Sequence, residues 1–328
     1  MNSPTAFVLA AGLGTRLRPL TDLLPKPLVP LFHKPLVSFA LDSLLAAGVG
    51  TLALNTHHLP EAFTHAFGKE PHYGNHPLHM FHEPLLLDTG GGIRNARSAL
   101  SESTFFLYNG DILADLPLLD LLAHHRASGA LATLLLREGG GVANIRFDAS
   151  SGRVLDLRDA LGGTEGEKKV YSGIAVLEPA IFDWIPEYGP YSIVDAWLEA
   201  LRAGEKISGL VCSSEQWPLW MDLGTPAAYL EAHRLLKNFR PSYITDNGCP
   251  LGVESSWPQA IHPTAKIHST AKLEGLVVAG PDAVVGEGVS LQDSILWPGA
   301  VIEPGAYLEG SIVQGIHPVS GKHQGAIL

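Results

Sequence analysis

Apolar and polar positions along most of this chain fall into short blocks that switch repeatedly between strand-like and helix-like spacing. Ala6 to Ala11 is a short apolar run, the pattern of a buried first strand. From Leu36 to Val49 the apolar positions Leu36, Phe39, Ala40, Leu41, Leu44 and Leu45 recur at helical spacing, and Gly48 closes the segment. Thr51 to Asn55, Leu78 to His82 and Phe105 to Tyr108 read as further strands. This repeated strand–helix–strand order predicts an α/β fold, a Rossmann-like, doubly wound and mostly parallel sheet. Further on, the pattern predicts helices over Leu116 to Ser128 and Ile193 to Arg202, and strands over Ala130 to Leu136, Ala143 to Phe147 and Tyr171 to Leu177. Thr225-Pro226 opens another helix through Leu236, with proline in its first turn.

Beyond Asn238 the pattern changes. Residues up to Gln259 are rich in Pro, Gly, Ser and Asn without a clear period, which marks a linker. From Ile261 an aliphatic residue returns every six positions (Ile261, Ile267, Leu273, Ala279, Val285), and the register slips by one near Leu291 before resuming at Leu296, Ile302 and Leu308. Such a period fits a parallel β-helix with coils of ~18 residues, about three of them before a tail from Gly315 to Leu328. The expected division is 1–238, a linker at 239–260, and a small β-helix domain at 261–328.

Composition narrows the partners. With 328 residues, 46% hydrophobic and 17% charged, there is material for one sizeable core and a smaller module. The net charge of −11 without basic clusters argues against nucleic acid or an anionic membrane as partner. Cys212 and Cys249 form no C-x-x-C pair, and no apolar run approaches the ~20 residues of a membrane span. The N-terminus leads directly into the first strand, so a soluble cytoplasmic protein is expected. His57, His58, His65, His72, His76, His79 and His82 crowd one region, but neither H-E-x-x-H nor paired Cys accompanies them, and they read as loop and surface residues.

The candidate chemistry begins right after the first strand. Gly12 and Gly14 break it, and Thr15 and Arg16 follow; the glycines let backbone N–H groups converge on an anion, and Arg16 adds a planar fork of donors. Lys26 sits between Pro25 and Pro27 on a stiffened segment. Leu17 occupies the place of a third glycine, which excludes a dinucleotide fingerprint, and no Gly-Lys-Ser/Thr closes the loop as in nucleoside triphosphatases. The combination G-x-G-T-R with P-K-P resembles the sugar-1-phosphate nucleotidyltransferases, or NDP-sugar pyrophosphorylases. Further stretches are similar to that family. In His82 to Ala96, HEPLLLDTGGGIRNA, the three glycines would let a flat ring approach the backbone before a helix beginning near Ile93. Asn109-Gly110-Asp111 ends a strand with a lone carboxylate, suited to magnesium but equally to an Asx turn. Tyr171 to Leu177 resembles the Ser/Thr-Gly-Ile strand of the sugar pocket, and Trp220 to Pro226 carries W-x-D-x-G-T-P, in which Asp222 without the resemblance would merely cap a turn.

The resemblance implies an enzyme that joins a nucleoside triphosphate to a sugar 1-phosphate and releases pyrophosphate, for cell-envelope sugar synthesis. It assigns catalysis to Arg16, Lys26, Asp111 and Asp222, with Asp111 and Asp222 holding Mg2+. Ala11, Gly12, Gly14, Thr15, Arg16, Glu83 and Gly90 would bind the nucleotide, and Asn109, Gly173 and Arg158 the sugar. Many members carry a Glu-Lys-Pro that grips the sugar phosphate; this chain has none, leaving Arg158, Lys168 and Lys169 as alternatives. The base is left between two: Glu83, an acceptor only, suits the two N–H donors of guanine, whereas L-x-TGGGI looks most like N-acetylmuramate-1-phosphate uridylyltransferases. A catalytic part followed by a short β-helix resembles GDP-mannose pyrophosphorylases, with heptose-1-phosphate guanylyltransferases a third possibility. The repeats after Ile261 resemble hexapeptide-repeat left-handed β-helices, whose open ends suggest packing on the catalytic part or association between copies of the chain. A non-catalytic NDP-sugar-binding regulatory subunit and a β-helix acyltransferase are the competing classes. The first is disfavoured because all four catalytic residues are present, the second because three coils make a small platform.

Overall fold

The structure, a computed structural model, describes residues 3–244, 257–315 and 317–328. Of the expected linker at 239–260, residues 245–256 lie outside the described residues. Contacts divide the chain into two compact units: one of Met1–Leu13, Val37–Asp222 and Pro241–Tyr243, the other of Gly14–Leu36, Leu223–Arg240 and Ile244–Leu328.

The first unit is built on a ten-stranded sheet. Its spatial order is Ala143–Asp148, Arg153–Leu157, Ile207–Cys212, Ala132–Arg137, Glu167–Leu177, Phe105–Asn109, Thr5–Leu9, Thr51–Thr56, His76–His82 and His72–Tyr73. Thr5–Leu9 runs parallel to both Thr51–Thr56 and Phe105–Asn109, and Thr51–Thr56 parallel to His76–His82, as the strand–helix–strand pattern requires. The sheet is nonetheless mixed. Glu167–Leu177 lies antiparallel between Phe105–Asn109 and Ala132–Arg137, and Ala143–Asp148 is antiparallel to Arg153–Leu157. For the second pair the cause is local: only a four-residue turn ending at Gly152 (φ 67°) separates Asp148 from Arg153, too short for a crossover.

Helices cover the sheet because their apolar stripes match it. Over Ile193–Arg202, Ile193, Ala196, Trp197 and Ala200 are buried on one side, and the Ser192 hydroxyl accepts from the Val194 N–H to cap the helix. Phe7, Ala53, Ile93, Phe105, Leu107, Ala175 and Trp197 share this core. Leu118–Ser128 starts two residues later than its apolar pattern suggests, since Pro117 precedes it, and ends at Gly129 in the left-handed conformation. The largest departure is Asp88–Asn95, a helix that begins well before Ile93 and takes all three glycines inside it.

In the second unit, residues from Ile261 onward form three parallel sheets of short strands, a parallel β-helix. Lys266–Ile267, Val284–Val285 and Val301–Ile302 make one sheet; Val278–Ala279, Ile295–Leu296 and Ile312–Val313 another; and Lys272–Glu274, Ser290–Gln292, Tyr307–Glu309 and Lys322–Gln324 the third. Lys266 pairs with Val284, eighteen residues on, but Val284 pairs with Val301, seventeen on, so the one-residue slip read near Leu291 is a shortened coil. Val285, Leu291, Leu296, Ile302 and Leu308 fill the core. Leu273 shares the period but is 39% exposed, because its strand is at the edge of its sheet and has a stacked coil on one side only. The helix Pro226–Asn238, capped by the Thr225 hydroxyl accepting from the Ala228 N–H, belongs to the same unit. Among the described residues, no helix is long and apolar enough to cross a membrane.

Position in the coil stack sets the cost of truncation. Leu308→Ala, in a fully buried layer, is expected to destabilise the full-length chain by about 2–5 kcal/mol, whereas Leu273→Ala leaves no closed cavity and costs about 1–2 kcal/mol. Urea unfolding followed by tryptophan fluorescence measures both.

Candidate active site

Parallel pairing puts the carboxyl ends of Thr5–Leu9, Thr51–Thr56 and Phe105–Asn109 at one edge of the sheet, the edge where such folds bind ligands. There the first strand gives way to Ala10 and Ala11, whose N–H groups both donate to Asn55 Oδ1, at 2.6 and 3.2 Å. Asn55 Nδ2 donates to Glu83 Oε1 at 2.7 Å, and the Leu87 N–H donates to Glu83 Oε2 at 3.0 Å. Glu83 is fully buried, so these donors offset a desolvation that would otherwise cost several kcal/mol. Its carboxylate is thus joined through Asn55 to the start of the glycine loop. Sequence reasoning missed Asn55; the available signal was a lone amide at the end of the apolar run Leu52-Ala53-Leu54.

The three glycines answer to packing. A Cβ on Gly90 would lie 2.9 Å from the Tyr191 carbonyl, one on Gly91 2.9 Å from Leu87 Cβ, and one on Gly92 2.8 Å from Asn55 Nδ2 and 2.9 Å from Glu83 Oε1. A short helix with no side chains on these faces can lie close to Tyr191–Ile193 and to the buried pair. Gly12 differs, because a Cβ there would meet nothing within 4 Å. That open backbone is where a ligand could approach.

Asp111 follows Gly110, whose N–H donates to the Leu9 carbonyl at 2.9 Å, fixing the turn beside the end of the first strand. Asp222 ends the strand Trp220–Asp222, which pairs antiparallel with Ile112–Ala114 so that Asp222 is opposite Ile112, the residue after Asp111. Asp111 therefore lies one residue beyond the ladder position that faces Asp222. Asn109 and Gly173 are also brought together. Gly173 has φ 84° within an irregularity of the strand Glu167–Leu177, and a Cβ on it would lie 3.0 Å from Asn109 Nδ2.

A cavity of about 340 Å³ opens among Gly141, Arg158, Tyr171, Trp197, Trp220 and Asp222. Trp220 is held by its Nε1 donating to the Ser172 carbonyl at 2.8 Å, and its ring lies against Gly140 and Gly141. The Tyr171 hydroxyl and Trp197 Nε1 are buried with no hydrogen-bond partner among the described residues. Burial pushes the Tyr171 hydroxyl well above the ordinary tyrosine range, so it remains a donor. Both residues line the cavity, with these two polar atoms themselves closed off from its surface. Of the three cations left open by the missing Glu-Lys-Pro, Lys168 is paired with Asp159 at 2.7 Å and Lys169 with Glu167 at 2.8 Å, while Arg158 lines the cavity.

Gly14, Thr15, Arg16 and Lys26 belong to the second unit. Gly14 is left-handed (φ 63°), its carbonyl accepts from the Thr21 hydroxyl at 2.9 Å, and a Cβ on it would lie 3.0 Å from Lys26 Cβ. Lys26 opens the short turn Lys26–Leu28 and is buried. Arg16 packs its guanidinium on the α-carbon of Gly224, where a Cβ would come 2.9 Å from Arg16 Cζ. The G-T-P motif after Asp222 therefore has a concrete role for its glycine.

Among the described residues no group of three or more His, Cys, Asp or Glu could cage a metal. Two hard carboxylates, Asp111 and Asp222, suit magnesium, which keeps waters and substrate phosphates in its shell and needs few protein ligands. Among the crowded histidines, His57 Nδ1 bonds the Glu83 carbonyl at 2.7 Å and His72 Nδ1 the Glu70 carbonyl at 2.7 Å.

Residues 5–238 match the family described as Nucleotidyl transferase, and residues 256–320 match the GMPPB C-terminal domain. The chain is 32% identical over 300 residues to a mannose-1-phosphate guanylyltransferase of Mycobacterium tuberculosis, covering 89% of this chain and 79% of that protein. It is 30% identical to a mannose-1-phosphate guanyltransferase of Candida albicans (88% and 80% covered), and 26% identical to a UTP–glucose-1-phosphate uridylyltransferase of Synechocystis (89% and 82%). A solved structure of UDP-glucose pyrophosphorylase from Acinetobacter baumanii superposes with a TM-score of 0.61 at 18% identity, covering 73% of this chain and 96% of that one, a likeness of fold.

Two glycines separate packing from ligand approach. Gly92→Ala forces its methyl into the Asn55–Glu83 pair and is expected to cost about 1.5–3 kcal/mol of stability, the worth of a hydrogen bond to a charged group. Gly12→Ala, in open space, is expected to leave stability within about 0.5 kcal/mol while weakening nucleotide binding. Urea unfolding and nucleotide titration distinguish the two.

Proposed function

The chain belongs to the sugar-1-phosphate nucleotidyltransferase family, and on that footing we propose that it transfers a guanylyl group from GTP to mannose 1-phosphate. The supporting observation is similarity to mannose-1-phosphate guanylyltransferases over nearly nine tenths of the chain, together with a GMPPB-type C-terminal part. In this reading a phosphate oxygen of the sugar 1-phosphate attacks the α-phosphorus of the nucleotide. The new P–O bond forms as the bond to the β-phosphate oxygen breaks, and pyrophosphate leaves with that electron pair. The attacking oxygen is already ionised, so no general base is required. The obstacle is repulsion between two anions, which positioning and charge neutralisation overcome.

Each residue then has a task. Arg16 and the amides of the glycine loop receive the pyrophosphate, and Lys26 stabilises charge at the α-phosphorus. The stretch from Glu83 to Gly90 lines the base, with Glu83 shaping it through Asn55. Asn109 and Gly173 flank the sugar. Arg158, in the cavity wall, takes the sugar phosphate in place of the missing Glu-Lys-Pro. Asp111 and Asp222 would hold Mg2+, which supplies charge neutralisation to the phosphates when bound.

Pyrophosphate release across ATP, CTP, GTP, UTP and dTTP, each paired with mannose, glucose, N-acetylglucosamine and N-acetylmuramate 1-phosphates, tests the assignment. Turnover is expected with GTP and mannose 1-phosphate, lost in Asp111→Ala. Preference for UTP with another sugar would replace the guanylyl reading with a uridylyl one.

A further inference from the structure

We propose that the C-terminal elements act as a clamp on the backbone to either side of Lys26, which makes Tyr229, His233, Trp297 and Gln314 positioning residues for the reaction. This rests on the reading of Lys26 as the group that stabilises charge at the α-phosphorus. The segment Gly14–Leu36 is held internally by short-range bonds, among them the two-residue ladder of Pro30–Leu31 with Lys34–Pro35 and the Leu36 N–H to the Val29 carbonyl. Pro19, Pro25, Pro27, Pro30 and Pro35 contribute no N–H donors, and around Lys26 itself the bonds are turns, Leu28 N–H to the Pro25 carbonyl and Val29 N–H to the Lys26 carbonyl.

Four side chains from beyond residue 225 tie this backbone to more distant parts of the chain. Before Lys26, the Leu20 carbonyl accepts from Gln314 Nε2 at 3.3 Å. After it, the Pro30 carbonyl accepts from the Tyr229 hydroxyl, the Phe32 N–H donates to His233 Nε2 at 3.3 Å, and the Phe32 carbonyl accepts from Trp257 Nε1 at 3.2 Å. All four side chains are buried, and every bond is to backbone, so what they fix is the path of the chain rather than any one side chain. His233 is set for its role: Nδ1 donates to the Tyr229 carbonyl at 3.0 Å, leaving Nε2 to accept, and burial pushes its pKa down to about 4.

The β-helix enters through one repeated position. Ile295–Leu296 stacks on Ile312–Val313, so the next residues, Trp297 and Gln314, occupy the same place in successive coils, where the first coil has Gly280. Gln314 bonds the segment directly. Trp297 does so at one remove, its Nε1 donating at 3.0 Å to the Tyr229 hydroxyl that in turn donates to Pro30. That hydroxyl both accepts and donates in a dry setting, where a satisfied network holds its geometry and a broken one leaves buried groups unpaired. Because a misplacement of about 1 Å costs roughly 10²-fold in rate, such a clamp bears on turnover as well as on stability.

The test is a double-mutant cycle on the full-length enzyme, read as kcat and KM for each substrate. Tyr229→Phe removes the donor to Pro30, and Trp297→Phe and Gln314→Met are milder second variants should Tyr229→Phe fold poorly; each is paired with Lys26→Gln. With Lys26 present, each clamp variant is expected to lower kcat by about tenfold with the KM for sugar phosphate nearly unchanged; in Lys26→Gln the same substitutions should change kcat less than about twofold. Equal fold losses in both backgrounds, or folded variants with unchanged kcat, would overturn the clamp. An unaltered kcat in Lys26→Gln alone would instead remove the catalytic reading of Lys26 and the clamp with it.

Discussion

The Tyr229 hydroxyl is the point on which the second unit turns. It takes a hydrogen bond from Trp297 and gives one to the Pro30 carbonyl, and it does so fully buried. A stretch with five prolines has fewer N–H groups with which to brace itself, so partners from outside add to its short turns and two-residue ladder. Buried Tyr, His, Trp and Gln side chains from later in the chain meet that need. This is why Gly14–Leu36 clusters with the helix Pro226–Asn238 and the β-helix. The C-terminal repeats thus belong to the architecture that carries Arg16 and Lys26.

The first unit solves a similar problem by similar means. Ala10 and Ala11, where the first strand ends, are held by Asn55, which is held by Glu83, which is held by the Leu87 N–H. A buried carboxylate is tolerated because its oxygens are bonded, and the glycine-lined helix Asp88–Asn95 approaches closely enough to complete the packing. In both units a buried side chain bonds the main chain of a loop and so fixes what the loop presents.

Much of this was legible in the sequence. Period-2 and period-3.6 patterns identify most strands and helices, and a six-residue repeat identifies the β-helix and even its shortened coil, because burial imposes those periods directly. The loop motifs identify the chemistry, since G-x-G-T-R, P-K-P and W-x-D-x-G-T-P are specific combinations. Three features were not legible. The Gly90–Gly92 run signals close approach without saying to what, and the structure shows Tyr191, Leu87, Asn55 and Glu83 filling the space. Asn55 looks like an ordinary strand end until its 45-residue-distant partner Ala10 is known. The bonds from Gln314 and Trp257 back to Leu20 and Phe32 span more than 200 residues and leave no local pattern at all.

Hydrogen–deuterium exchange over residues 20–32 measures most directly whether the C-terminal elements hold the Lys26 segment. In Trp297→Phe and Gln314→Met the Leu28 and Val29 amides, bonded only within their own turn, are predicted to exchange faster than in the wild type, with the strand Phe105–Asn109 unchanged as an internal reference. Exchange of the 20–32 segment at the wild-type rate in both variants would contradict a clamp built from the β-helix.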